Sequence, residues 1–323
     1  NKYGVPLSLF NINKNDDFGI FEIGMDKKGE IDSLSKLIKP NVGVITNISY
    51  AHAKNFKNIK QIALAKSEII NNIKLNGSII LNADDKFFKL HRQISKKKNL
   101  KLISFGIKSK RADIKLIDIK SFGKNFKIKI KFMNKIKHFI ISDDYQNNIY
   151  NILSALAVIS VNSNIFNLNK NIFLNFKIPD GRGDHSTIKI NNKKINLIDQ
   201  SYNSNPLSLS SAIKNFDKIK SNKSKKYLLL GDMLELGSYS KKLHQSIAPL
   251  INQTKIDKVF VKGKMASLIF KKISKAKKGR VLVNKSQIIE LLRKDLNNND
   301  YLMMKASLAT GFNNIVKDLR GID

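Results

Sequence analysis

Short apolar runs alternate along the chain with stretches whose apolar residues recur at helical spacing. The alternation runs through both halves and predicts an α/β protein built on parallel sheets. In the first half, strands are predicted over residues 18–24, 42–47, 78–82 and 100–105, with a helix over about residues 59–73. Residues 113–142 break this rhythm. They alternate apolar and polar positions with turns near Gly123 and Asn134, which reads as an antiparallel excursion, and a helix over about residues 147–161 follows. From Thr187 the earlier alternation returns, with strands near residues 194–198, 226–230, 258–261, 280–283 and 301–305. Pro179-Asp180-Gly181-Arg182-Gly183 interrupts both patterns, so the chain is divided into domains over residues 1–182 and 183–323.

At 323 residues the chain is long enough for two domains that each bury a core. It contains no cysteine, which excludes disulfides, thiolate metal sites and a cysteine nucleophile. The apolar run over residues 152–161 is too short to cross a bilayer and nothing at the start resembles a secretory signal, so a cytoplasmic protein without a membrane partner is expected. Lys and Arg number 59 against 25 acidic residues, a net charge of +34, which alone would suggest a nucleic-acid partner. The distribution argues otherwise. Lysines are spread over the whole chain, arginine occurs six times, and Lys127, Lys129 and Lys131 alternate with Phe126, Ile128, Ile130 and Phe132 as on a strand with one solvated face. No nucleic-acid partner is expected.

Three constellations carry possible chemistry. Glu22-Ile23-Gly24-Met25-Asp26 ends an apolar run, and a carboxylate at a strand tip is a hard oxygen donor suited to Mg²⁺, or an ordinary strand-end acid. Thr46-Asn47-Ile48-Ser49-Tyr50-Ala51-His52 is a second strand end, whose histidine needs a partner to count as a ligand. Around the predicted helix, Lys66 falls on the same face as Ile59, Ile62, Ile69, Ile70 and Ile73. An inward lysine either snorkels or, with its pKa lowered by burial, becomes a neutral amine able to form a carbamate with CO₂. In the second half, Asp199-Gln200-Ser201-Tyr202-Asn203-Ser204-Asn205-Pro206 follows a strand and precedes a helix, offering ribose or peptide contacts or simply a helix cap. No phosphate loop of the form G-x-x-x-x-G-K-[ST] and no G-x-G-x-x-G occurs.

In order and spacing, Glu22-Ile23-Gly24-Met25 with Gly29-Glu30-Ile31, Thr46-Asn47-Ile48 with Ala51-His52, Ala65-Lys66-Ser67-Glu68-Ile69 and Leu81-Asn82-Ala83-Asp84-Asp85 resemble the central ATPase domain of the Mur ligases. Gly181-Arg182-Gly183, Ser201-Tyr202-Asn203-Ser204-Asn205-Pro206 and the stretch from Leu230 to Gly237 (LGDMLELG) resemble the branch of that family that adds a D-Ala-D-Ala dipeptide. The resemblance covers essentially the whole chain and implies a central ATP-binding domain followed by a Rossmann-like ligase domain. The start, Asn1-Lys2-Tyr3-Gly4-Val5-Pro6-Leu7, resembles the stretch just after the family's phosphate-loop helix. An incomplete part of a longer ligase, inactive alone, is therefore expected.

The resemblance further implies an ATP-dependent ligase that joins D-Ala-D-Ala to the UDP-MurNAc-tripeptide through an acyl phosphate in peptidoglycan precursor synthesis. Glu22, His52 and Lys66 become Mg²⁺ ligands and catalytic residues, Lys66 as its carbamate. Asn148, Asn151, Arg182 and Asp199 become contacts to ATP, and Tyr202, Asn203, Asn205, Lys305 and Ser307 contacts to substrate. A monomer is expected. Two departures stand out: Asn147 replaces the family's usual histidine, and Lys305-Ala306-Ser307-Leu308 has leucine where the family has arginine. His244 is expected to serve packing. Another Mur-type amino-acid ligase, or a non-catalytic basic module on a ligase scaffold, are the alternative readings.

Overall fold

The computed structural model describes residues 2–221 and 223–321, with the side chains of Asp144, Gln146 and Asn147 outside that description. The chain divides into two α/β units. The first contains residues 1–48 and 55–176, the second residues 49–54 and 177–323. No helix among the described residues is long and apolar enough to cross a membrane.

The first unit is built on a six-stranded sheet of β1 (Val42–Ile45), β2 (Ser78–Asn82), β3 (Lys101–Gly106), β4 (Ile114–Phe122), β5 (Asn125–Phe132) and β6 (Lys135–Ser142), in that spatial order. β1 to β4 pair in parallel, and β4 to β6 form the antiparallel excursion expected from the alternating pattern. On β5, Ile128 and Ile130 are fully buried while Lys127 and Lys131 face water, as period-2 alternation requires. Ile128, Ile130, Phe139 and Ile141 form one core with Leu153, Leu156 and Ala157 of helix Ile149–Asn162.

Two expectations need correcting. Residues 18–24 form no strand. Phe18 and Ile20 are 70% and 94% exposed, and no strand among the described residues pairs with the segment. An apolar run becomes a strand only where a neighbour takes up its N–H and C=O groups. The helix predicted over residues 59–73 is α-helical only over Ile59–Ser67, then tightens into a 3₁₀ turn over Glu68–Asn72. The change coincides with tertiary ties. The Glu68 carboxylate accepts the N–H groups of Gly29 and Asp32 at 2.9–3.2 Å, and Asn72 donates to the Asp32 carbonyl and carboxylate and to Ser35.

Asp84, just past β2, accepts from the backbone N–H groups of Ile107, Lys108 and Ser109 at 2.6, 3.0 and 2.7 Å and from the Tyr150 hydroxyl at 2.8 Å. One carboxylate thus ties the β3–β4 loop to helix Ile149–Asn162. Burial raises its pKa, but these four donors outweigh burial and hold the carboxyl below its ordinary value. The phenol of Tyr150 is pushed up correspondingly, by burial and by that carboxylate.

The second unit is built on β7 (Asp184–Ile190), β8 (Lys193–Gln200), β9 (Lys226–Gly231), β10 (Lys258–Lys262), β11 (Lys278–Val281) and β12 (Tyr301–Lys305), ordered β11-β10-β9-β12-β8-β7. All neighbours are parallel except β7 and β8. β7 was not expected. Its hairpin turns on Asn191 and Asn192, both at positive φ (47° and 62°), the backbone a two-residue hairpin needs and asparagine tolerates. Leu197, Leu229, Leu302 and Met304 pack on one face of the sheet, and Ile198, Leu228, Leu230 and Met303 on the other. Helices Lys285–Lys294 and Phe312–Arg320 cover the first face; Pro206–Lys218 and Ala266–Lys272 cover the second. β12 returns between β8 and β9, so Lys305 is in register with Gln200 on one side and Leu230 on the other. The loops leaving these strand ends are therefore neighbours, in the crevice where parallel sheets bind ligands.

Two outcomes follow from this packing. A methyl group at Gly231 would lie 2.6 Å from the Ala306 Cβ and 2.8 Å from the Phe312 ring, so Gly231→Ala destabilises the protein by about 1–3 kcal/mol in urea denaturation; an unchanged midpoint refutes the close packing. Asp84→Asn costs about 1–3 kcal/mol at neutral pH. Because the folded pKa of Asp84 is lowered, that contribution is fully present above about pH 4 and disappears as the pH falls through the folded value. Wild-type and variant unfolding energies therefore converge in acid, and a difference that stays constant across the range counts against the assignment.

Candidate functional site

In the first unit the structure brings Glu22 and Lys66 within electrostatic reach of each other. Lys66 lies in the last turn of helix Ile59–Ser67 and is partly buried. Burial holds its ammonium below the ordinary lysine value, and the Glu22 carboxylate acts in the opposite sense. Glu22 is exposed. The loop after it is organised by two other acids. Glu30 folds back to accept from Asp26 N–H at 2.6 Å and Lys27 N–H at 3.2 Å, and Glu68, two residues beyond Lys66, accepts at the start of helix Glu30–Ile38. The chain segments carrying Glu22 and Lys66 are thereby tied to each other by backbone-directed hydrogen bonds. Sequence reasoning missed His91, which is 2% exposed, lies 3.0 Å through Nε2 from the Ala63 carbonyl and has its pKa lowered by burial with Lys66 adding to the effect. A lone histidine in the basic helix Phe88–Lys97 carries no periodic signal.

His52 belongs to the second unit. Its Nδ1 lies 2.6 Å from Oε2 of Glu235, in the LGDMLELG stretch. Asp232 of the same stretch accepts the Ala266 N–H at 2.7 Å, at the start of helix Ala266–Lys272. His244, fully buried, accepts the Met233 N–H at 2.9 Å and lies 2.8 Å from the Ser240 carbonyl. Its role is to hold this loop, in line with the packing role expected for it.

The remaining residues of the second unit gather at the C-terminal ends of β8, β9 and β12. Gly181 and Gly183 both lie at positive φ (74° and 107°), and a side chain at either would meet Tyr202 or Gln200. Between them Arg182 is exposed, its guanidinium 4.2 Å above the Tyr202 ring. Asp199 is 3% exposed and accepts from Ser201 N–H at 2.9 Å. Burial raises its pKa, a nearby Asp184 adds to that, and Arg320, 3.7 Å away, partly offsets it. Arg320 also pairs with Asp184 and donates to Ser186. This arginine in the last helix was not anticipated.

Lys305 and Ser307 act on the loop rather than projecting from the surface. The Lys305 ammonium, 2% exposed, donates to the Asn203 carbonyl at 2.8 Å, and its pKa is pushed down to about 8, chiefly by burial and then by Arg182. Ser307 accepts from Leu234 N–H at 2.9 Å and donates to the Ser204 carbonyl at 3.3 Å. Asn205 is committed to a capping box with Ser208 at the start of helix Pro206–Lys218, while Asn203 and Tyr202 are exposed. In the first unit, Asn151 donates to Asn148 at 3.1 Å at the start of helix Ile149–Asn162.

The chemistry of the first group fits a divalent cation. A carboxylate lies within electrostatic reach of an amine whose charged form burial disfavours, and such an amine becomes an anionic oxygen donor once it takes up CO₂. His52, in the second unit, offers an imidazole whose Nδ1 lies 2.6 Å from Glu235 Oε2.

Residues 1–159 match the Mur ligase middle domain, and residues 186–308 the Mur ligase glutamate ligase domain. The UDP-N-acetylmuramoyl-tripeptide–D-alanyl-D-alanine ligase of Buchnera aphidicola subsp. Baizongia pistaciae is 33% identical over 325 residues, which is 99% of this chain and 67% of the relative. That of Bacillus subtilis is 28% identical over 99% of this chain and 68% of its own length. Among solved structures, MurF from Acinetobacter baumannii superposes with a TM-score of 0.85 at 23% identity, covering 98% of this chain and 68% of that one. MurF from Thermotoga maritima, in complex with ADP, gives 0.83 at 23% identity over 99% and 70%. With both domains matched in order and curated relatives spanning nearly its whole length, the chain belongs to the Mur ligase family and groups there with the MurF proteins.

Proposed function

We propose that the chain supplies the central and C-terminal parts of an ATP-dependent ligase that joins D-Ala-D-Ala to the UDP-MurNAc-tripeptide in peptidoglycan precursor synthesis. The observation that carries the reading is the Glu22–Lys66 pair, a partly buried amine within electrostatic reach of a carboxylate in a chain whose other lysines are mostly solvated. The relatives named for this reaction, and the neighbour bound to ADP, support the substrate and nucleotide classes.

A peptide carboxylate is a poor electrophile. In the proposed reaction its oxygen takes the γ-phosphoryl group of ATP with release of ADP, and the dipeptide amine then attacks the acyl carbon and expels phosphate. Glu22, His52 and Lys66 would hold Mg²⁺, which would supply positive charge to the transferring phosphoryl group. The neutral Lys66 amine adds to CO₂, forming a C–N bond and releasing a proton, and the resulting carbamate presents oxygen instead of nitrogen. Arg182, 4.2 Å over the Tyr202 ring, offers a fork of N–H donors to nucleotide phosphates. Asp199 accepts from the ribose, with Asn148 and Asn151 on the adenine side. Tyr202 and Asn203 face the peptide substrate, while Lys305, Ser307 and Asn205 set the shape of the loop that carries them.

Lys66→Ala in the intact enzyme lowers kcat by about 100-fold or more, and acetate restores part of it by standing in for the carbamate oxygens; unchanged turnover eliminates the carbamate. Asp199→Ala raises the KM for ATP by about tenfold and leaves the KM for the dipeptide nearly unchanged. An equal rise in both removes Asp199 from the nucleotide site. Phosphate release driven by D-Ala-D-Ala but not by single amino acids checks the acceptor, and the reverse preference overturns it.

A further inference from the structure

Asp184 and Asp199 lie directly opposite each other in the antiparallel ladder of β7 and β8. Like charges at opposed ladder positions repel, and burial strengthens the repulsion. Asp199 is 3% exposed, and Asp184 is only partly accessible to water. The last helix brings a cation to this pair. Arg320, in the final turn of Phe312–Arg320, pairs with the Asp184 carboxylate, lies 3.7 Å from that of Asp199 and donates through Nε to the Ser186 hydroxyl at 3.2 Å. The helix is anchored to the sheet by Phe312, Ile315, Val316 and Leu319, all buried in its core, so the guanidinium arrives from a fixed element. A planar guanidinium serves two acids and a hydroxyl at set angles, which an ammonium on a flexible stem does not.

The same two acids hold the segments that carry the proposed nucleotide contacts. Asp184 Oδ1 accepts the Gly181 N–H at 2.7 Å, the Asp199 carbonyl accepts the Gly183 N–H at 2.6 Å, and Asp199 Oδ1 accepts the Ser201 N–H at 2.9 Å. Arg182 stands between the two glycines, over the Tyr202 ring, and the Tyr202 N–H returns to the Gly181 carbonyl at 3.0 Å. We infer that Arg320 is a positioning residue for the nucleotide, whose guanidinium bridges Asp184 and Asp199 so that Asp199 stays a carboxylate for the ribose and the Gly181–Gly183 turn presents Arg182 to the phosphates. The inference rests on the proposed roles of Asp199 and Arg182 and adds to them a residue on a separate element. The charges around Asp199 agree with it. Burial and Asp184 both raise its pKa, and Arg320 opposes them, with the Lys305 ammonium of β12 also within electrostatic reach.

The test compares the intact enzyme with Arg320→Met, Arg320→Lys and Asp199→Ala. Arg320→Met keeps an unbranched stem and removes the cation, whereas Arg320→Lys keeps the cation and loses the fork. Arg320→Met is expected to raise the KM for ATP about tenfold and to leave the KM for the dipeptide nearly unchanged. In the same variant the acid limb of kcat/KM for ATP is expected to move up by about one pH unit relative to wild type, because a carboxyl that loses a neighbouring cation takes up its proton sooner. A purely structural contact would raise both KM values or lower the melting temperature without moving that limb. Arg320→Lys is expected to keep the limb near its wild-type place, with a KM for ATP about threefold above wild type. An unchanged KM for ATP in Arg320→Met, or an unmoved limb, overturns the inference. Should Arg320→Met not fold, Arg320→Lys decides: a rise confined to the KM for ATP supports the bridge, and no rise overturns it. If Asp199→Ala leaves the KM for ATP unchanged, the nucleotide role of Asp199 fails and takes the inference with it. If Asp199→Ala raises that KM and Arg320→Met does not, only the role of Arg320 fails.

Discussion

Carboxylates that accept backbone N–H groups hold the loops at the ends of the sheet in each unit, beside several of the candidate residues. Asp84 ties the β3–β4 loop, Glu30 and Glu68 shape the segment after Glu22, and Asp232 fixes the turn before helix Ala266–Lys272. Asp300, 2% exposed, does the same at the opposite end of the second sheet by accepting from Lys225 and Asn297. A loop has no ladder to satisfy its amides, and a half-buried amide without an acceptor costs about as much as a lost hydrogen bond. An ionised carboxylate can accept several such donors at once. In a chain with 25 acidic residues against 59 basic ones, many acids serve the backbone rather than the surface lysines.

The same economy explains which cations matter. Most lysines are solvated, and their number says little about function. Lys66 and Lys305 differ because the fold withdraws water from their amines while giving each a carboxylate in reach, Glu22 for one and Asp199 for the other. For Lys305 the consequence is structural, since its ammonium is spent on the Asn203 carbonyl and steadies the loop from Ser201 to Asn205. For Lys66 no comparable hydrogen bond among the described residues defines its use, and its chemistry is what the proposed ligase reaction draws on.

Much of the fold was legible in the pattern of residues. β2 and β12 fall at the predicted residues, and the three-stranded excursion of β4 to β6 follows from strict alternation with turns at Gly123 and Asn134. The failures share a cause. Residues 18–24 have the composition of a strand but no partner, and β7 has a partner supplied by a two-asparagine turn whose backbone was overlooked. Strand formation is decided by pairing, which is a property of the neighbour as much as of the run itself.

The candidate site divides along the same line. Order and spacing of short motifs, through their resemblance to the Mur ligases, singled out Glu22, His52, Lys66, Arg182 and Asp199, with the inward angle of Lys66 on its helix as a separate sign. Only the tertiary structure decided what surrounds them: His91 near Lys66, Glu235 against His52, and Arg320 between Asp184 and Asp199. The local pattern determines which element a residue occupies, since helices and strands have periods that the sequence must match. It does not determine which distant side chain arrives beside that residue. Glu235 lies far along the chain from His52, and no local period links the two positions.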